Sequence, residues 1–242
     1  AELLKKHKKA WSASAPIGTF GFRRGFPELW KLKPRDLPKH AAAVFAREPI
    51  RVLDLSHGNL LDPPDPGYMN AFKCPELARI RRLELRRLRL TVVEVRVFAA
   101  CKYLTNLREL DLAYMPMSRG AVEALTETPA FTQLEELSLR ATHCDHRVVE
   151  SLANAPYAAT LRSLNFCHST IGTAGVIRLA NTKQLAGLTR LDVSDAKLND
   201  AAAEALTASS VLANLEYLNV ADNKFSPAVR KRLVVRYGKR LE

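Results

Sequence analysis

Four arginines, Arg81, Arg82, Arg86 and Arg87, fall within seven residues, and Arg51 and Arg108 stand 30 and 27 residues to either side of Arg81. A guanidinium is a planar fork that matches carboxylate and phosphate through paired hydrogen bonds. The cluster therefore suits one of two jobs. It can capture an acidic or phosphorylated segment, or it can be neutralised by Glu84, Glu109 and Asp111 in surface ion pairs worth roughly 0–1 kcal/mol each. Tyr114, Arg140 and His168 occupy matching positions further along the chain, and Arg and Tyr are frequent interface anchors. The candidate partner-binding set is Arg82, Arg86, Arg87, Tyr114, Arg140 and His168.

Two other constellations invite a chemical reading. His143-Cys144-Asp145-His146, with Cys167 and His168 beyond it, has the residue types of a zinc site, which needs tetrahedral Cys and His ligands. Cys144, however, belongs to an apolar column described below, and no Cys-x-x-Cys knuckle accompanies it, so no metal site is expected. Asp54, Ser56 and His57 have the types of a hydrolytic triad, but they sit on one short strand and its turn and lack an oxyanion site. The chain has no Gly-x-Ser-x-Gly elbow, phosphate-binding glycine loop or His-Glu-x-x-His helix. The expectation is a non-catalytic protein without a cofactor.

The elements that must position these residues repeat. The pattern Leu-x-x-Leu-x-Leu opens at Ile50, Ile80, Leu107, Leu134, Leu161, Leu188 and Leu215, with a strict 27-residue period from Ile80 onward. Further apolar residues keep the same register, including Leu60, Leu90, Met117, Cys144, Ile171, Leu198 and Phe225, and pairs three apart such as Val95/Phe98 and Val176/Leu179 read as helix. Each unit is thus strand, turn, helix and return loop. A lone unit cannot cover its apolar face, so neighbours stack with parallel strands. The first unit is three residues longer than the others, and its extra length falls in the segment Asp62–Tyr68, read as a stiffened connection between units or as a binding loop.

The segments LRELDLAYMPMSRGAVEALTETPAF and LTRLDVSDAKLNDAAAEALTASSVL resemble ribonuclease-inhibitor-type leucine-rich repeats, a resemblance that covers residues 50–242. It implies an α/β right-handed horseshoe solenoid of about seven units, a concave parallel sheet lined by convex helices, that binds a protein partner on its concave face. The family usually places Asn, Cys or Thr after the strand, and this chain has Gly58, Leu88, Met115, Thr142, Ser169, Ala196 and Asn223, so less regular turns are expected at Leu88, Met115 and Ala196. ELLKKHKKAW, FRRGFPELWKL and HAAAVFAREPIRVLDL resemble the segment that precedes leucine-rich repeats in bacterial repeat-companion domain proteins. That likeness implies further helical sequence upstream, so the chain is expected to be a piece of a longer protein, and it brings no activity with it.

Residues 1–49 are read as an N-terminal cap, with a strand-like piece at Leu29–Leu32, a helix from about Lys39 to Arg47, and Phe20, Phe22, Phe26 and Trp30 covering the end of the stack. Residues 50–225 hold the repeats, and residues 226–242 a closing helix that buries Val229, Leu233 and Tyr237. The net charge of +12 divides into +12 over residues 1–108, −6 over 109–222 and +6 over 223–242. Basic ends around an acidic centre suit a protein partner of mixed charge, and leave binding of nucleic acid or an anionic surface through those ends as the alternative. No apolar run approaches a membrane span and a cytoplasmic home is expected. Three cysteines fall in buried columns; Cys167 is placed facing outward and is expected to be the reactive thiol.

Overall fold

The computed structural model describes residues 17–56 and 65–242. Nine strands form one sheet in chain order: β1 Thr19–Arg23, β2 Phe26–Lys31, β3 Val52–Asp54, β4 Arg82–Glu84, β5 Glu109–Asp111, β6 Glu136–Ser138, β7 Ser163–Asn165, β8 Arg190–Asp192 and β9 Tyr217–Asn219. Strands β2 to β9 run parallel, and the period sets their register, so that Trp30, Leu53, Leu83, Leu110, Leu137, Leu164, Leu191 and Leu218 lie side by side in one row. Every one of these is 2% exposed or less. The helices α1 Leu37–Arg47, α2 Tyr68–Ala71, α3 Val92–Ala99, α4 Arg119–Thr126, α5 Arg147–Ala153, α6 Gly172–Asn181, α7 Asp200–Ala208 and α8 Pro227–Tyr237 alternate with β3 to β9 or flank them. Capping side chains start several of them: Thr91 with Glu94 as a capping box, Ser118, Asn199 and Ser226.

Helix and sheet enclose one continuous apolar core that runs the length of the stack. Phe72, Phe98, Phe131 and Tyr157 continue from unit to unit at centroid separations of 5.7, 6.0 and 6.2 Å. The small-residue column after each helix ties units together by hydrogen bonds. Cys101 Sγ donates to Phe72 O at 3.0 Å, Thr128 Oγ1 to Ala99 O, and Ser209 Oγ to Ala180 O at 2.5 Å. Each satisfies a carbonyl at the end of the preceding helix that lacks an intrahelical partner. Among the described residues no helix is long and apolar enough to cross a membrane.

The N-terminal segment differs from its reading. The single strand-like piece expected at Leu29–Leu32 is one arm of a hairpin, with β1 antiparallel to β2 across Arg24 (φ 50°) and Gly25 (φ 89°). A glycine in β1 and a proline in β2 mask the alternation that would mark the two strands. Trp30 is fully buried, stacked on Phe20 and edge-on to Phe45, whereas Phe26 is 65% exposed and covers nothing. Residues 1–16, His57, Gly58, Leu60 and the insertion as far as Pro64 lie outside the described residues. The described part of the insertion packs inward: Tyr68 donates to Leu55 O at 2.7 Å, and a Cβ at Gly67 would fall 2.4 Å from Arg35 N.

The turns after the strands are more uniform than the Leu88, Met115 and Ala196 column implies. Arg87, Tyr114, Ala141, His168, Asp195 and Asp222 all have φ between 46° and 60°, whichever residue follows. Their main-chain N–H groups extend the sheet ladder, from Arg87 to Ala113 O, Tyr114 to Arg140 O, Ala141 to Cys167 O, His168 to Ser194 O and Asp195 to Ala221 O, at 2.8–3.0 Å. Leu88, Met115 and Ala196 are buried and contribute packing in place of a polar bond. Variation appears two residues later, where His143 and Lys197 also turn left-handed. At the far end Ser226 caps α8, Val229, Leu233 and Tyr237 are buried, and Leu241 and Glu242 pair with Leu218 and Val220 beside β9.

Candidate partner-binding face

The residues between the buried leucines reach the outer surface of the sheet. One column on that surface has a structural task. Asp54, Asp111, Asn165, Asp192 and Asn219 each accept the main-chain N–H two residues on, from Ser56, Ala113, Cys167, Ser194 and Ala221 at 2.8–3.0 Å. These Asx turns start the left-handed corner, which explains why the column is short and polar. Glu84 is too long to do so, and in its unit Arg86 N donates to Ser56 Oγ at 2.8 Å.

The arginine cluster divides by position across the sheet. On its surface, Arg82 meets Glu84 at 2.8 Å and Glu109 at 2.9 Å. Arg86 bonds Glu84 and lies 3.9 Å from Asp54 and 3.7 Å from Asp111, while Lys31 pairs with Asp54 at 3.0 Å. Asp54 and Glu84 are 4% and 5% exposed beneath these cations. Burial disfavours the charge on Arg82, but Glu84 and Glu109 outweigh it and hold the guanidinium above its ordinary pKa. Arg82 and Arg86 are thus engaged by the chain's own carboxylates. Beside them, partial burial and the charge of Glu109 push the Glu136 carboxyl above the usual range. A shallow recess here is lined by Arg82, Glu109, Asp111, Glu136, Ser138 and Asn165 among others.

At the trailing edge, where the strands end, the environment changes. The Tyr114 ring lies between two guanidiniums, Arg87 at 5.3 Å and Arg140 at 5.6 Å from its centroid. Neither arginine has a carboxylate partner among the described residues, and the buried Nε–H of Arg140 has no acceptor. Ala141 follows in the same column on the next unit, and beyond it His168 Nδ1 and Asp195 Oδ2 are 2.6 Å apart. The structure therefore brings Arg87, Tyr114 and Arg140 together, sets Arg82 and Arg86 in an ion-pair network, and places His168 two units away beside a carboxylate. The sandwich was legible only in part: Arg87 and Tyr114 share a column, but Arg140 comes from the neighbouring one.

The thiols occupy other places than one reading implies. Cys167 is buried, as are Cys74, Cys101 and Cys144, and all four are free. In the same column the long side chains of Arg86 and Arg140 reach outward, whereas the small ones of Ala113, Cys167 and Ser194 stay buried between their neighbours. Cys144 lies in the core and accepts from Thr142 Oγ1 at 3.2 Å. Burial pushes the Cys74 and Cys144 thiols up to about 11.

The signature of the Leucine Rich repeat family matches residues 188–206, which span β8 and most of α7. No curated protein matches the chain. The matched unit has the same strand, corner and helix as its neighbours, and the repeating pattern fits a leucine-rich repeat protein. Such repeats generally mediate protein–protein interaction and are typically non-catalytic.

Proposed function

We propose that the chain is a non-catalytic scaffold that binds a protein partner on the sheet face, with Arg87, Tyr114 and Arg140 at the centre of contact. The observation that carries this reading is the Tyr114 ring held between two guanidiniums that no carboxylate of the described residues neutralises. The two guanidiniums held over the ring keep N–H groups that no carboxylate of the described residues takes, so an acidic or phosphorylated segment is the fitting partner chemistry. The apolar ring adds area that is insensitive to salt. Four free thiols suit a reducing compartment such as the cytoplasm.

Binding of nucleic acid through the basic ends is less well supported. Around α8, Arg230, Arg236 and Arg240 donate to main-chain carbonyls and Arg232 pairs with Glu204, so these cations close the stack. The test is capture from nuclease-treated lysate at two salt concentrations, comparing wild type with Tyr114→Ala and with Arg87→Ala/Arg140→Ala. We expect a stoichiometric protein that survives high salt on wild type and is lost from both variants. Equal capture by the variants, or recovery of nucleic acid alone, would refute the assignment.

A further inference from the structure

We propose that the leading edge of the sheet, where the strands begin, carries a binding site for a compact phosphate group, formed by Arg51, Arg81 and Arg108. These residues precede β3, β4 and β5 at one register position, and Arg81 N and Arg108 N donate to the carbonyls of Arg51 and Arg81, both at 2.8 Å. Adjacent strands lie about 4.8 Å apart, so three guanidinium-bearing positions fall within about 10 Å. They line a cleft of about 290 Å³ together with Ala78, Arg79 and Asn106, and no carboxylate lines it.

The side chains are set around the cleft and not collapsed into it. Arg51 is held by Arg79 O at 3.2 Å, Arg108 by Glu135 and by Gln133 at 3.3 Å, and Asn106 by Ala78 O at 2.7 Å. Arg81, between them, is exposed and has no side-chain partner among the described residues. The contrast with the sheet surface is direct. There Arg82 and Arg86 meet four carboxylates; one residue before Arg82, Arg51 and Arg81 have no carboxylate partner among the described residues, and only Arg108 is paired, with Glu135 outside the cleft lining. A phosphate, with up to two charges and three oxygens, can take N–H groups from several guanidiniums at once, which a single carboxylate does less well. The same column continues with Glu135, so the basic run stops after three units. That favours a compact phosphate compound over an extended nucleic-acid strand, whose contacts would need a longer track. The site is independent of the Tyr114 clamp, which lies on the opposite edge.

Inorganic pyrophosphate titrated calorimetrically into the chain at fixed chloride tests the proposal. We expect one saturable site on wild type, weakened about tenfold or more by Arg81→Gln and unchanged by Tyr114→Ala. Arg81→Gln alters an exposed side chain without contacts, and a circular dichroism melt matching wild type will show that it is folded. Vesicles bearing a phosphorylated headgroup form a second arm: displacement of pyrophosphate assigns the group to a membrane lipid, and its absence to a soluble compound. Non-saturable binding, equal affinity of Arg81→Gln, or a ten-nucleotide single strand binding far more tightly than pyrophosphate would overturn the proposal.

Discussion

Arg86→Glu and Arg87→Glu reverse the same charge at neighbouring residues, and we expect them to differ sharply in stability. Arg86 meets Glu84 directly, Asp54 at 3.9 Å and Asp111 at 3.7 Å. Removing one partner of a buried ion pair costs about 3–5 kcal/mol. The Arg86 side chain is 41% exposed and Glu84 keeps Arg82, so removal alone is scaled down to about 1–3 kcal/mol. A glutamate at 86 then adds a fourth carboxylate, and like charges 4 Å apart near a surface repel by up to about 4 kcal/mol before the side chain swings into water. The total expected is about 2–5 kcal/mol. Arg87→Glu loses one exposed contact with the Tyr114 ring, about 0.5–1 kcal/mol. Urea unfolding of the two variants measures the difference. Repeat arrays can lose cooperativity, so exchange of the Leu85 and Arg87 amides, bonded to Asp111 O and Ala113 O, provides a local readout. Destabilisation of the two variants by equal amounts would sink the reasoning. It would also mean that loss of binding on mutating Arg86 reports on recognition, whereas the network makes it report on folding.

Three further outcomes follow from particular contacts. Asn223 Oδ1 accepts from the buried amides of Ala196 and Leu198, and its Nδ2 donates to Val193 O and Val220 O; Asn223→Leu leaves these groups unpaired, and a loss of about 2–5 kcal/mol in chemical unfolding is expected, with a change below 1 kcal/mol arguing that water replaces the amide. No native thiol should react with a thiol-specific chromogenic reagent at pH 7 before the chain opens, and rapid labelling of Cys167 in the folded protein would show that its burial is wrong. Glu136 has a folded pKa raised above its ordinary 4.5, so its ionisation destabilises the fold above that raised value, and the penalty is lifted as pH falls through it toward 4.5. Glu136→Gln should therefore raise the melting temperature at neutral pH and have no advantage below pH 4.5; a pH-independent difference would contradict the cause assigned.

The sequence declares what repetition enforces. Leu53 through Leu218 could be aligned because burial admits few residue types, and a slip of one residue would turn every leucine outward. The helices were legible for the same reason. What escaped the sequence reading belongs to single places. β1 alternates weakly, and its pairing comes from Trp30 joining the leucine row. The structural task of Asp54, Asp111, Asn165, Asp192 and Asn219 was hidden because the partner of each is a main-chain N–H, which leaves no mark in the residue pattern. The arginine cluster looked like one feature because Arg81 to Arg87 are contiguous, yet strand geometry sends Arg81 to one edge, Arg82 and Arg86 to the face and Arg87 to the other edge.

The left-handed corner gives a reason for weighting Arg87 and Tyr114 above their neighbours. Only glycine adopts this conformation without penalty, and Asp and Asn tolerate it best, which accounts for Asp195 and Asp222. Arg87 and Tyr114 run against that preference at a cost of roughly 1–2 kcal/mol each. The ladder hydrogen bonds come from the main chain and would be made by any residue, so the fold does not ask for an arginine or a tyrosine there. Local choices that conflict with the fold concentrate at functional sites. Tyr114→Gly separates the two demands: relief of the corner offsets both the lost ring contacts and the added chain freedom, leaving stability within about 1 kcal/mol of wild type, while partner capture disappears. A loss of about 3 kcal/mol or more would mean that the ring is held as core packing, and that the tyrosine is explained by stability alone.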